Sequence, residues 1–173
     1  DIYFGADLEL FPYATPTLER ILDDEALSCL EAFAQTGSGG IYAVWKQSDG
    51  RRPVVYVCDE GEHCVVSHSL FDFARLIAIG YSRFPCDASN EPSADEMEEE
   101  GGDKFREWFK SAFDCQLPPT GKGIACNNVA DYPPFADWIR DHWIRPAVNP
   151  PSSDSIVVKL SNLLKRLIPS RSQ

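Results

Sequence analysis

Apolar and polar positions change period most clearly between Gly39 and Tyr81. Three short apolar runs rich in Val, Tyr and Trp are separated by polar clusters carrying Asp, Gly and Arg, and a helical pattern follows them directly. That order predicts a strand meander feeding a helix. In the first run Ile41, Ala43 and Trp45 share a face; in the second, Val54 to Val57 is nearly unbroken, as in a strand covered on both sides. Ser48-Asp49-Gly50 and Asp59-Glu60-Gly61-Glu62 each supply a residue suited to positive φ in a turn. Ser69 offers an N-cap with Asp72 three residues on, and Leu70, Phe73, Ala74 and Ile77 recur at helical spacing before Gly80.

Ile2 to Phe11 predicts a strand or extended lead-in, and Thr15-Pro16 a helix start with Leu18, Ile21 and Leu22 on one face. Asp23-Asp24 predicts a second helix whose apolar positions are Leu27, Leu30 and Phe33, ended by Gly37 to Gly40. Past Tyr81, Arg83 to Gly102 is polar and holds the acid run Asp95 to Glu100, read as a surface loop or frayed acidic helix. Phe105, Trp108, Phe109, Ala112 and Phe113 fall at i, i+3, i+4, i+7 and i+8, an aromatic stripe expected in the core. Gly121-Lys122-Gly123 lacks the frame of a phosphate loop and follows prolines rather than a strand. Pro133-Pro134 opens a helix carrying Phe135, Trp138, Ile139, His142 and Trp143, where His142 reads as a packing residue.

With 173 residues, 43% of them hydrophobic, the chain can bury one real core, expected over residues 1–145, followed by a Pro/Ser linker and helical tail over 146–173. In the tail Ile156, Leu160, Leu163, Leu164 and Leu167 share one helical face, with Lys159, Lys165 and Arg166 off it; cover within the chain or in a homodimer, a partner groove, or surface association with an anionic membrane are the readings. A net charge of −11 disfavours nucleic acid. No stretch is long enough to span a bilayer and the start does not read as a signal peptide, so a cytoplasmic protein is expected; the start at Asp1 rather than Met leaves room for an upstream segment. Cys29, Cys58, Cys64, Cys86, Cys115 and Cys126 are scattered through predicted elements and read as reduced, mostly buried thiols. A metal site from Cys58, His63, Cys64 and His68 is the sharpest rival, weakened because adjacent His63 and Cys64 point to opposite faces of a strand. No cofactor or metal is expected.

Here the residues reach a family. Trp45, Pro53-Val54-Val55-Tyr56, Glu60-Gly61, Val65-Val66-Ser67 and Leu70-Phe71-Asp72-Phe73 form a frame that resembles the SMI1/KNR4-like domain of the SUKH superfamily. Tyr42-Ala43-Val44-Trp45 upstream, and the Phe105 to Phe113 stripe and Phe135-Ala136-Asp137-Trp138 downstream, are similar to the same group, so the resemblance covers roughly Leu8 to Trp143. Cys58 and the acid insertion depart from it. The resemblance implies an α+β domain, a mixed, mainly antiparallel sheet with helices packed around it. It also implies a non-catalytic role: an immunity protein that neutralises a bacterial toxin by direct binding, or a regulatory module of the cell-wall or signalling type.

The residues agree on catalysis, since no Ser lies in a GxSxG elbow and no His has a carboxylate partner at fixed spacing. An enzyme is the least favoured reading. A basic toxin domain is the expected partner, because opposite potentials speed encounter. The candidate contact residues are Asp59, Glu60 and Glu62 in one turn and Asp95, Glu96, Glu98, Glu99 and Glu100 in the acid run, for which turn chemistry and solubility are the competing explanation. Trp45 reads as core rather than interface anchor, because it shares a face with Ile41 and Ala43.

Overall fold

A computed structural model describes residues 8–10, 16–58, 61, 63–82, 84, 88–93, 102–126 and 134–144. Strands β1 (Glu9–Leu10), β2 (Leu30–Gln35), β3 (Ile41–Trp45), β4 (Val54–Val57) and β5 (His63–Ser67) lie side by side in sequence order as one five-stranded sheet. Helices α1 (Pro16–Ile21) and α2 (Asp24–Cys29) intervene between β1 and β2, and α3 (Leu70–Ile79), α4 (Gly102–Phe113) and α5 (Phe135–Asp141) follow β5. The domain is α+β, as expected. Every strand pairing among the described residues is antiparallel.

Alternation along the central strands divides the interior in two. Tyr42, Val54 and Tyr56 point to one side, where Phe73, Leu76 and Ile77 of α3 and Phe105 and Phe109 of α4 cover them. Ile41, Ala43, Trp45, Val55 and Val57 point to the other, under Leu18, Leu22, Ala26, Phe135 and Ile139 of the α1, α2 and α5 layer. Trp45 is core, with ring centroids 4.9 Å from Phe135 and 5.0 Å from Trp138. Burying each such side chain is worth about 1.5–3 kcal/mol, so neither helix layer is dispensable.

One predicted element changes type. The helix expected to run through Leu30 and Phe33 ends at Cys29, and Leu30 to Gln35 is β2, paired with β3 from Leu30 opposite Trp45 to Gln35 opposite Ile41. Leu27, Leu30 and Phe33 fit a helical spacing, but Leu30 and Ala32 also fit a strand, and pairing satisfies the outer edge of β3, whose unmet backbone groups would otherwise be buried. A bulge between Ala32 and Ala34 reconciles the two faces. Leu30 and Ala32 join the Trp45 side, whereas Phe33 and Ala34 join the Tyr42 side.

The turns and caps follow local chemistry. Gly50 takes φ +87° in the β3–β4 turn, where Asp49 accepts the Arg51 N–H at 3.0 Å. Ser69 caps α3 by accepting the Asp72 N–H at 3.1 Å, and Gly80, at φ +127°, ends that helix with its N–H on the Leu76 carbonyl. The last carbonyls of α3 receive a cation from α4: Arg106 Nε donates to Ala78 O at 3.0 Å and Nη2 to Ile79 O at 3.3 Å, while Nη1 meets Asp103 at 2.7 Å. That contact satisfies orphan acceptors and complements the negative end of the helix dipole. Gly121 belongs to packing rather than to anion binding, because its N–H donates to the Tyr81 hydroxyl at 3.0 Å. Among the described residues no helix is long and apolar enough to cross a membrane.

A Cβ on Gly121 would lie 2.5 Å from Leu76 Cδ2 and 2.8 Å from the Ala88 Cβ. Gly121→Ala should therefore cost about 1–3 kcal/mol through overpacking, read as a lower denaturation midpoint at unchanged slope. An unshifted midpoint would show that this turn does not pack as described.

Candidate functional site

The aromatic stripe of α4 divides between core and surface. Phe105 and Phe109 are buried against α3, but Trp108 is 48% exposed and Phe113 47%, and Ala112 is exposed between them. The expectation that the whole stripe is core is corrected accordingly. Apolar positions at i, i+3, i+4, i+7 and i+8 span a wide arc, and the α3 side of α4 takes Phe105 and Phe109 into the core while leaving Trp108, Ala112 and Phe113 outside it. The first turn of α3 adds Leu70, expected on its buried face but 50% exposed, and Phe71, 42% exposed.

The aromatic rings among them form one surface. The Phe71 ring lies 5.5 Å from Phe109 and 5.1 Å from Phe113, and Trp108 lies 6.0 Å from Phe113. Phe71 thus joins the exposed rings to the buried ones. The Arg75 guanidinium sits 5.9 Å above Phe71 and is paired with Asp72 at 3.4 Å. On the helix itself, exposed Asp103 and Glu107 pair with Arg106 and Lys110 at 2.7 and 2.9 Å. A contiguous apolar patch rimmed by charged groups is the surface signature of a binding site, and Trp and Arg are the side chains that most often anchor one. The other flank of α4 holds a groove of about 310 Å³ lined in part by Ile79, Arg106, Lys110 and Leu117, but Arg106 is already committed to the α3 carbonyls.

The acids nominated from the sequence, Asp59, Glu60, Glu62, Asp95, Glu96, Glu98, Glu99 and Glu100, lie outside the described residues, as does the tail over 146–173. Of the rival metal set, His63 packs on Trp143 at 5.0 Å on one side of β5 while Cys64 packs into the opposite core. Among the described residues no three His, Cys, Asp or Glu side chains are grouped to hold a metal.

One polar pair was not foreseen. Asp23 and His142, 119 residues apart, meet with Nδ1 at 3.1 and 3.0 Å from the two carboxylate oxygens. Asp23 also caps α2 by accepting the Ala26 N–H at 2.9 Å, and the Ala26 N–H, followed by the His142 contact, holds its carboxyl below the ordinary value of 3.8. An ionised carboxylate only accepts, so Nδ1 carries the proton. The His142 ring rests on Trp138 at 4.8 Å, and main-chain bonds from Asp23 to His142 and from Ile144 to Ile21 run alongside. The pair is a clamp holding α5 against the α1–α2 corner. The capping Asp was legible in the sequence; its second partner was not.

Two tests follow from these placements. Phe109→Ala should cost about 3–5 kcal/mol of stability and Trp108→Ala within about 0.5, measured by chemical denaturation. Equal losses would mean that Trp108 is covered. Because the folded Asp23 carboxyl titrates below its unfolded value, its contribution is present above the unfolded pKa and is lost as pH falls through the folded one. Asp23→Asn should therefore be less stable than the parent at pH 7, the gap closing below about pH 4; parallel stability profiles across that range would remove the clamp. Compared with protein-family models, curated proteins and solved structures, the chain matches none.

Proposed function

We propose that the chain is a non-catalytic protein-binding domain that neutralises a bacterial toxin by direct contact, using the aromatic patch of α3 and α4 as its anchor. The observation that carries this is the half-exposure of Leu70, Phe71, Trp108 and Phe113 on adjoining helices. Covering rings of this size stabilises a complex by amounts typical of interface hot spots, about 2 kcal/mol or more for each central side chain. The SMI1/KNR4-like frame supports the immunity role, and the net charge of −11 suits a basic partner. A cytoplasmic location and the absence of turnover belong to the same proposal. The second reading, a regulatory or scaffold module without a toxin, draws on the basic amphipathic sequence of residues 154–168, which offers its own interaction face.

The test uses the protein encoded beside this chain as probe, captured on immobilised full-length chain at low and physiological salt. Association should be faster at low salt, and the Trp108→Ser/Phe113→Ser double variant should weaken binding by about thirtyfold or more, the equivalent of one hot spot. Reversing the sign of Asp95 to Glu100 should slow association and leave dissociation nearly unchanged. A probe that does not associate with the parent at low salt, or binds the double variant as well as the parent, sinks the proposal.

A further inference from the structure

We infer that residues 154–168 of this same chain dock on the patch of Leu70, Phe71, Trp108 and Phe113, shielding it until a partner displaces them. The inference rests on the reading of that patch as the binding surface and adds its regulation.

Complementary chemistry is the first ground. Ile156, Leu160, Leu163, Leu164 and Leu167 recur at i, i+4, i+7, i+8 and i+11, which places five aliphatic side chains on one helical face. Lys159, Lys165 and Arg166 fall off that face, so a segment lying apolar side down keeps its cations at the rim. The patch presents three aromatic rings and Leu70, each 42–50% exposed, on helices fixed by packing. Charge points the same way. Residues 87–107, which run into α4, hold nine acids and two bases, whereas residues 144–173 hold five bases and one acid.

Reach is the second ground. Ile144 is fixed by the bond from its N–H to Ile21 O at 2.8 Å, on the α5 side of the sheet. Nine residues, 145–153, separate it from Asp154. Extended, they span about 30 Å. The two helix layers on either side of the sheet are separated by roughly two helix diameters, about 20 Å between axes. The linker therefore exceeds the separation of the two helix layers, and is short enough to keep the two apolar faces at an effective concentration in the millimolar range. A free partner at micromolar concentration competes against that, which makes the tail a threshold on binding rather than a block.

Hydrogen exchange on the full-length chain tests this, comparing the parent with Leu163→Asp/Leu164→Asp and with Trp108→Ser/Phe113→Ser at several chain concentrations. Amides of 154–168 should be protected in the parent at every concentration and lose protection in both variants. Leu163→Asp/Leu164→Asp should also bind the neighbouring gene's product about fivefold more tightly or better, because the competing segment is gone. Unprotected amides in the parent would overturn the inference, as would protection that survives Trp108→Ser/Phe113→Ser. Protection that appears only at high chain concentration would assign the patch to a second copy, and protection that needs phosphatidylserine vesicles would assign the tail to a membrane; either overturns it. Failure of the binding-surface reading looks different: the patch variant loses tail protection yet captures the probe unchanged.

Discussion

Burial of two neighbouring strands on both faces is the constraint from which the rest of the fold follows. All nine residues of β3 and β4 are buried, and a strand apolar on both faces has no side left for water. The sheet must therefore carry helices above and below, and the flanking sequence supplies them: α1, α2 and α5 over Trp45 and Val55, α3 and α4 over Tyr42 and Tyr56. Even the turn before β3 obeys this packing. A Cβ on Gly40 would stand 2.1 Å from the Tyr56 hydroxyl, so the tyrosine ring occupies the space a side chain would need.

What the sequence made legible was whatever its neighbours within ten residues decide. The meander, the Ser69 cap and the Gly80 stop rest on period, turn glycines and one capping hydroxyl, all local. The apolar spacing of Leu30 to Gln35 serves helix or strand equally, and the choice is made by β3, hydrogen-bonded across a turn. The Asp23–His142 clamp and the Arg106 contacts with Ala78 and Ile79 join residues far apart in the chain, and no spacing announces them. The α4 stripe marks an intermediate case. Its pattern reveals which residues are apolar, but the number of elements available to cover them is a property of the whole domain.

That shortage of cover leaves aromatic rings at the surface of an otherwise packed helix pair. Trp108 and Phe113 project from a helix whose other face is locked by Phe105 and Phe109, and whose first turns are tied to the end of α3 through Arg106. Rings held on a braced helix lose less freedom on meeting a partner than the same rings on a loop, so more of their burial energy survives as affinity. Their mutual contacts, 5.1 Å for Phe71 with Phe113 and 6.0 Å for Trp108 with Phe113, also fix the shape that a partner meets.

Charge and apolar surface then act at different stages of binding. At physiological salt the field of surface acids fades over about 8 Å, so an excess of negative charge guides the last approach of a basic partner and contributes little once the surfaces touch. The lifetime of the complex is set instead by how completely the rings are desolvated. An acidic chain whose acids stood alone would meet basic partners quickly and release them as quickly. For the proposed binding role, an apolar patch on α4, next in sequence to the acid run, would couple fast capture to slow release, and would select partners that offer a basic rim around an apolar centre over those that are merely basic.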